Sequence, residues 1–73
     1  MKRIGVDSSI IRSVGYDPES LTLEIEFTTK DVRQYVKVPQ EVYDALMASS
    51  SLGMYFRRHI KDEYKHFRVD ISR

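Results

Sequence analysis

The segment Leu21–Phe27, with the sequence LTLEIEF, constrains the fold of this chain more than any other. Apolar and polar side chains alternate along it: Leu21, Leu23, Ile25 and Phe27 against Thr22, Glu24 and Glu26. This period of two predicts a β-strand that is buried on only one face. That face is expected to meet a hydrophobic core, and the other face to meet solvent or a partner.

Two further strands are predicted beside this one. Ser9–Tyr16 is rich in β-branched residues, which favour strands, and it is followed by the turn signal DPES. Val32–Val38 follows the short connection TTKD and reads as the third strand. The three strands are close enough in sequence to form an antiparallel meander.

The loop before the third strand sets its register. An even number of loop residues places Glu26 opposite Arg33, an attractive cross-strand ion pair, and turns Tyr35 away from the core. The same register puts Gln34 opposite Ile25, on the core side. An odd loop with a bulge therefore remains an open alternative.

Two helices are predicted in the second half of the chain. Pro39 suits the first turn of a helix over PQEVYDALMAS, and Ser51 is the predicted N-cap of a second helix from about Leu52 to His66. One apolar face of that second helix is formed by Phe56, Ile60, Tyr64 and Phe67. The predicted fold class is α+β: a three-stranded antiparallel β-meander followed by two helices packed on one face, in the order β-β-β-α-α.

The length of 73 residues allows one small domain. Residues 9–68 are predicted to form it, with residues 1–8 as a lead-in segment and 69–73 as a C-terminal tail. The chain has no cysteine, so neither a disulfide framework nor a cysteine-rich zinc site is expected. No apolar stretch resembles a signal peptide or reaches the roughly 18 residues of a membrane helix, so a cytoplasmic protein without a membrane partner is expected.

Positive charge is concentrated near the C-terminal end. The net charge is only +1, but residues 57–73 carry six lysines and arginines against three acids. Spacings of 4, 4 and 3 on the predicted second helix place four cations on one face, with Arg58 beside them: Arg57, Lys61, Lys65 and Arg68. Such a face can meet a row of phosphates, although an ordinary solvated helix face has the same pattern.

A second candidate contact lies on the third strand. Tyr35 is flanked at two-residue spacing by Arg33 and Lys37, which predicts an exposed ring between two cations. Such a tyrosine can stack on an unpaired base. The alternative is a purely structural contact with Glu24. If the helices cover the other sheet face, this group and the basic helix lie on different sides of the molecule, so the sequence leaves open whether one ligand can contact both.

No constellation indicates catalysis or a metal site. His59, Asp62 and His66 could share one helical face, but they lack a fourth ligand and match no strong metal-binding spacing. Glu24 and Glu26 share a strand face, where exposed carboxylates are usually only solvated. The scattered glycines form no phosphate-binding loop. A non-enzymatic protein without metal or cofactor is expected.

The order of several short motifs resembles the KTSC domain family. They span about residues 6–68 and are Gly15-Tyr16, the LTLEIEF strand, Val38-Pro39, and Ser51-x-Gly53-x-x-Phe56 at the start of the last helix. This family is a short domain found at the C-terminus of some lysyl-tRNA synthetases and as stand-alone small proteins. RNA binding has been suggested for it, so the resemblance implies an RNA partner.

The family's central mark is a Tyr-x-Tyr in the third strand. Arg33 and Tyr35 occupy those positions here, so this chain has one ring and one cation where the family has two rings. An arginine can contact phosphate or stack on a base through its guanidinium plane. The resemblance therefore implies a modified contact surface at this strand.

These features predict a small binding module that contacts RNA without catalysis. The expected contact residues are Arg33, Tyr35, Lys37, Arg57, Arg58, Lys61, Lys65 and Arg68. The alternative is a protein–protein interaction or homodimerisation module. In that case the first or third predicted strand would be a sheet edge, to which a partner's strand or a second copy adds.

Overall fold

A computed structural model describes residues 2–69, which form a five-stranded antiparallel sheet covered by two helices. The elements in chain order are β1 (Ile4–Gly5), β2 (Ile11–Asp17), β3 (Thr22–Phe27), β4 (Val32–Tyr35), α1 (Gln40–Ala48), α2 (Leu52–His59) and β5 (His66–Arg68). The strands lie in the order β1-β2-β3-β4-β5. The α+β class is confirmed, but the predicted number of three strands is wrong because β1 and β5 extend the sheet at its two edges.

The hydrophobic core lies between one face of the sheet and both helices. Val14, Leu23 and Ile25 of the central strands are fully buried there, against Leu46 of α1 and Phe56 of α2. Burying each of these side chains stabilises the fold by about 1.5–3 kcal/mol relative to leaving it exposed. The alternation along β3 therefore places Leu23 and Ile25 on the helix-covered face, as predicted. The prediction is wrong for Leu21, which precedes the strand and is 41% exposed.

An odd loop joins β3 to β4. Phe27 N–H donates to Asp31 O at 2.8 Å, and Lys30 N–H donates to Phe27 O at 2.9 Å, the pattern of a three-residue hairpin loop. Lys30 completes the loop in the left-handed region, with φ of 75°. The register predicted from an even loop is wrong by one residue, and the odd-loop alternative is confirmed.

This shift of one residue moves each side chain of β4 to the opposite face of the sheet. Arg33 lies opposite Ile25, and Tyr35 shares that helix-covered face. The predicted outward projection of Tyr35 is therefore wrong. The predicted Glu26–Arg33 pair is also wrong, since Glu26 lies opposite Val32.

The second helix begins where predicted but ends earlier. The side chain of Ser51 accepts a hydrogen bond from Met54 N–H at 3.3 Å, which confirms the N-cap and satisfies one free donor of the first turn. The backbone of Gly53 passes close to Ile10, because a Cβ at Gly53 would meet Ile10 Cγ1 at 3.0 Å. The helix ends at His59 instead of continuing to residue 66.

After α2 the chain turns and adds β5 to β4. Val36 N–H donates to Lys65 O at 2.9 Å, and Val69 N–H donates to Val32 O at 2.8 Å. These bonds satisfy backbone groups of β4 and of Val36, the residue after it, that an extended second helix would leave unpaired. Phe67, predicted on the buried helix face, lies on β5 and is 54% exposed.

The sheet face away from the helices carries a polar network. Arg3 Nε donates to Ser13 Oγ at 2.9 Å, and Arg3 Nη1 contacts Glu24 Oε2. Ser13 Oγ donates to Glu26 Oε1 at 2.8 Å, and Gln34 Nε2 donates to Glu24 Oε1 at 2.8 Å. Glu24 is consequently 5% exposed although neither α1 nor α2 covers this face. Arg3 takes the role with the strand glutamates that was predicted for Arg33.

The edges of the described sheet are β1 and β5. The first and third predicted strands correspond to β2 and β4, and neither is an edge because β1 pairs with β2 and β5 with β4. Residues 4 and 5 of the predicted lead-in thus contribute a strand. Residues 70–73 of the predicted tail lie outside the described residues. No helix within residues 2–69 is long and apolar enough to cross a membrane.

Candidate nucleic-acid interface

A cleft of about 510 Å³ opens between β4 and the C-terminal end of α2. Its walls come from the β3–β4 hairpin, from α2 with the following turn, and from two flanking residues: Phe27, Thr28, Thr29, Asp31, Arg33, Tyr35; Phe56, Arg57, Lys61, Asp62; Ile10 and His66. We call it the β4–α2 cleft. This volume lies in the range of small-molecule pockets.

The sheet wall of the cleft is formed by alternate residues of β4. Asp31, Arg33 and Tyr35 are spaced by two, so their side chains lie on one face. Arg33 Nε donates to Asp31 Oδ2 at 2.9 Å, and Arg33 Nη1 lies 3.3 Å from His66 Nδ1 on β5. Arg33 is thereby held against the wall, and it contributes one positioned cation.

The helical wall carries two cations that are not neutralised locally. Arg57 lies in the last turn of α2, and Lys61 lies in the turn that follows. Both are exposed, and neither makes an ion pair with any residue in the described range 2–69. The two side chains are therefore available to an anionic ligand at the mouth of the cleft.

The floor of the cleft is aromatic. The ring of Phe56 makes edge contacts with Phe27 and Tyr35, at centroid distances of 5.4 and 5.5 Å. His66 lies on the other side of Tyr35, with its ring centroid 4.9 Å away. Tyr35 is only 2% exposed. Its ring faces are covered, so the predicted stacking of a base on Tyr35 is wrong.

Two titratable groups of the cleft have shifted pKa values. The hydrogen bond from Arg33 lowers the pKa of Asp31, and Arg68 adds to the effect, so this carboxylate is charged at neutral pH. Burial raises the pKa of the Tyr35 hydroxyl to about 12, with further contributions from Asp31 and Asp62. Tyr35 therefore presents a neutral O–H group to the cleft at any physiological pH.

One buried polar atom of this cleft, Asp31 Oδ1, has no hydrogen bond of good geometry within residues 2–69. Arg68 Nε lies 3.2 Å from it and forms an ion pair with it, so the charge of this carboxylate is compensated. The great majority of buried polar groups in proteins are paired.

The KTSC domain profile matches residues 7–64. The chain belongs to the KTSC domain family. It is 44% identical over 71 residues to an uncharacterized protein of Stutzerimonas stutzeri, covering 96% of this chain and 100% of that protein. A KTSC domain protein from Yersinia pestis, known from its crystal structure, has 35% identity and a TM-score of 0.93 over 94% of this chain and 97% of its own.

Lysine–tRNA ligases contain a segment similar to this KTSC chain. The ligase of Nostoc sp. PCC 7120 is 35% identical over 60 residues, which is 82% of this chain and 11% of the ligase. The chain thus spans about a tenth of that enzyme. The family resemblance predicted from the ordered motifs is confirmed.

The predicted contact residues of this KTSC domain are divided between the cleft and other places. Arg33, Tyr35, Arg57 and Lys61 line the cleft. Arg68 adjoins it through its ion pair with Asp31. The remaining three predicted residues do not line it: Lys37, Arg58 and Lys65.

The prediction that four cations share one face of the second helix is wrong. Since α2 ends at His59, only Arg57 and Arg58 of the predicted cations lie on it, while Lys65 precedes β5 and Arg68 lies within β5. The sequence left open whether the strand and helix cations share one face. The odd hairpin loop turns Arg33 towards the helices, where it meets Arg57 and Lys61 in one cleft.

Sequence reasoning missed Asp31, and it considered His66 only as a candidate metal ligand and not as part of the contact surface. Asp31 lies two residues before Arg33 and four before Tyr35, so the alternation of a strand places all three on one face. This signal was present in the sequence. His66 joins the site through β5, whose only local signal is the alternation of Phe67 and Val69 with polar neighbours. His59, by contrast, lies against Tyr55 on α2, with ring centroids 4.5 Å apart.

The histidines do not gather around a metal site in the described part of the chain. No group of three or more histidine or acidic side chains within residues 2–69 is placed to hold a metal ion. His59 and His66 belong to different elements, α2 and β5, so their helical spacing in sequence has no counterpart in space.

Proposed function

We propose that this chain is a non-enzymatic RNA-binding module whose contact surface is the β4–α2 cleft. The observation that carries this proposal is the convergence of Arg33, Arg57 and Lys61 on one aromatic-floored cleft. These three cations come from separate elements, β4, α2 and the turn after α2. Because all three line the same cleft, one ligand can contact them together.

The two unpaired cations suit a phosphate backbone. Phosphate contacts by lysine and arginine supply most of the sequence-independent affinity of nucleic-acid-binding proteins. Arg57 and Lys61 lose no internal ion pair within residues 2–69 when they bind an anion, so their contacts add directly to affinity. Arg33 is already held by Asp31, and it acts as a positioned donor beneath them.

The relatives support an RNA partner over other polyanions. A segment similar to this chain is part of lysine–tRNA ligases, which by their name act with tRNA. The half-buried side chains of Phe27 and Ile10 give the cleft apolar surface that suits an unpaired region of RNA, because recognition of RNA favours splayed bases over the closed duplex. The proposed ligand is therefore single-stranded or looped RNA, whose backbone binds at Arg57 and Lys61.

The test compares two double variants of equal charge. Arg57→Gln with Lys61→Gln removes the free cations of the cleft, and Arg58→Gln with Lys65→Gln removes two exposed cations that do not line it. A labelled mixed RNA pool is titrated at about 50 and 200 mM salt, a range over which phosphate contacts lose much of their affinity. Both variants change net charge by the same amount, so they differ only in position.

The cleft variant is expected to bind more weakly and to reduce the log–log salt slope by about 1.4, at about 0.7 per lost phosphate contact on single strands. The matched variant is expected to stay close to the wild type. Equal losses in both variants would contradict the cleft as the contact surface. No binding by the wild type at the lower salt would contradict RNA binding altogether.

A second candidate is self-association through β5. This three-residue strand is the last of the described sheet, and its central residue Phe67 is 54% exposed. An exposed edge with an apolar side chain is a template for pairing with another strand. A dimeric mass in solution that Phe67→Lys converts to a monomeric mass would favour this candidate, and a monomeric wild type would contradict it.

A further inference from the structure

The outer edge of β5 has backbone groups that no strand within residues 2–69 pairs with. Lys65 and Val69 form backbone hydrogen bonds with the β4 side of the ladder. Because such bonds recur at every second residue of an antiparallel strand, the residues that lie between turn their N–H and C=O groups away from β4. On β5 these residues are His66 and Arg68. Since β5 is the last strand of the described sheet, their backbone groups are open to an added strand.

The side chains on one face of this edge are basic. His66 and Arg68 lie on the helix-covered face, opposite Tyr35 and Arg33 of β4, and β5 contains no acidic residue. The side chain of Arg68 is 75% exposed, and its ion pair with Asp31 uses Nε. A guanidinium group carries five N–H donors, so the other nitrogens of Arg68 can bind a further carboxylate. A strand that adds here therefore meets positive charge on this face.

The other face of the edge is apolar at its centre. Phe67 lies opposite Gln34, which contacts Glu24 on the sheet face away from the helices, and Phe67 is 54% exposed. A residue added opposite Phe67 would form a pair without backbone hydrogen bonds, in which the two Cα atoms are only about 4.5 Å apart and the side chains are closest. An apolar side chain at that position of the added strand would cover the ring of Phe67.

A second copy of this chain lacks the charges that this edge requires. If β5 paired antiparallel with β5 of another copy, centred on Phe67, Arg68 of each copy would lie opposite His66 of the other, with no acidic side chain on either strand. That arrangement offers no ion pair, and basic side chains on edge strands are a common means of preventing self-pairing. Opposite charges across a ladder are stabilising, so an acidic strand fits this edge better than a second copy does.

We propose that the β5 edge binds an extended acidic peptide segment of another protein by β-strand addition. The segment adds antiparallel to β5, with acidic residues opposite His66 and Arg68 and an apolar residue between them, opposite Phe67. The two acidic residues also form the backbone hydrogen bonds, because they lie opposite the residues whose N–H and C=O groups are open. This edge does not include Arg57 or Lys61, so the proposal does not depend on RNA binding.

The probe is a short fluorescent peptide in which glutamate and valine alternate, and its binding is measured by fluorescence anisotropy at one fixed salt concentration. A peptide of the same composition with its glutamates consecutive is the control for net charge. It cannot present acidic side chains on one face and apolar side chains on the other. The alternating peptide is expected to bind at least about fivefold more tightly, from cross-strand pairs that the control cannot form.

Two modified peptides test whether the backbone of β5 takes part. Methylation of the backbone nitrogens of the glutamates removes the N–H groups that would bond to β5, and should weaken binding at least about tenfold. Methylation of the valine nitrogens alters N–H groups that face away from β5, and should leave the affinity close to that of the unmodified peptide.

Two protein variants of equal charge locate the peptide. Arg68→Gln removes the exposed cation of the edge and should weaken the alternating peptide about two- to fivefold. Arg58→Gln removes an exposed arginine of α2, away from β5, and should bind the peptide like the wild type. Circular dichroism checks that both variants fold.

Four results would overturn the proposal. One is no binding of the alternating peptide at millimolar concentration. Another is equal affinity of the two methylated peptides, because the backbone of β5 would then not be used. Equal losses in Arg68→Gln and Arg58→Gln would indicate general charge attraction. A dimeric wild type that Phe67→Lys converts to a monomer would place a second copy on this edge instead.

Discussion

The ring of Tyr35 on β4 meets the ring of Phe56 on α2 nearly at a right angle, with centroids 5.5 Å apart and planes inclined by 83°. This edge contact connects the sheet to the second helix directly beneath the cleft. The positions of Arg33 and Arg57, two residues before Tyr35 and one after Phe56, depend on it. Stability and binding are therefore linked through this pair.

Phe56→Ala should be the most damaging of the core substitutions at the cleft. Phe56 is 4% exposed and contacts both Phe27 and Tyr35, so truncation leaves a cavity and is expected to cost about 3–5 kcal/mol. Urea denaturation followed by circular dichroism measures the loss. Met54→Ala, on the same helix at 54% exposure, is the control and should change stability by less than about 0.5 kcal/mol. Similar losses in both variants would contradict the described packing.

Lys30→Gly should stabilise the protein. Lys30 occupies the left-handed region at φ of 75°, which glycine adopts without a Cβ clash. The expected gain is about 0.5–1 kcal/mol, offset in part by the larger freedom of glycine in the unfolded chain. Thr29→Gly in the same loop lacks this benefit, because Thr29 does not have a positive φ. A rise in the urea midpoint for Thr29→Gly but not for Lys30→Gly would contradict the three-residue loop.

Alkaline pH should destabilise the wild type more than Tyr35→Phe. The pKa of Tyr35 is raised from 10.0 to about 12 by burial, so the fold favours the neutral hydroxyl. Its contribution is fully present below the unfolded pKa of about 10 and is lost as pH rises through about 12. Urea midpoints measured from about pH 9 upwards should fall less steeply in the phenylalanine variant. Parallel pH profiles for the two proteins would show that Tyr35 is not buried in this way.

Local pattern was sufficient for the elements whose signals are local. The alternation around Leu23 and Ile25 identified β3 and its buried face, and Ser51 identified the start of α2. The register of β4 was not accessible in the same way, because it depends on Lys30 accepting a left-handed conformation that its residue type disfavours.

The failure to predict β5 has a different cause. Phe56 and Ile60 have helical spacing and are buried, and Tyr64 and Phe67 continue that spacing by coincidence. What ends the helix is the long-range pairing of β5 with β4, which no local window contains. For this reason only four of the eight predicted contact residues line the cleft: the cations were recognised one by one, and the strand register that brings them together was not.

Chemical-shift mapping by NMR tests the central claim most directly. A short single-stranded RNA is titrated into isotopically labelled protein, and the perturbed backbone amides are assigned. The account predicts the largest shifts at residues 31–35 and 56–62, on the two walls of the β4–α2 cleft, and little change at Ser13, Glu24 and Glu26 on the opposite sheet face. Shifts confined to that opposite face or to β5 would contradict it.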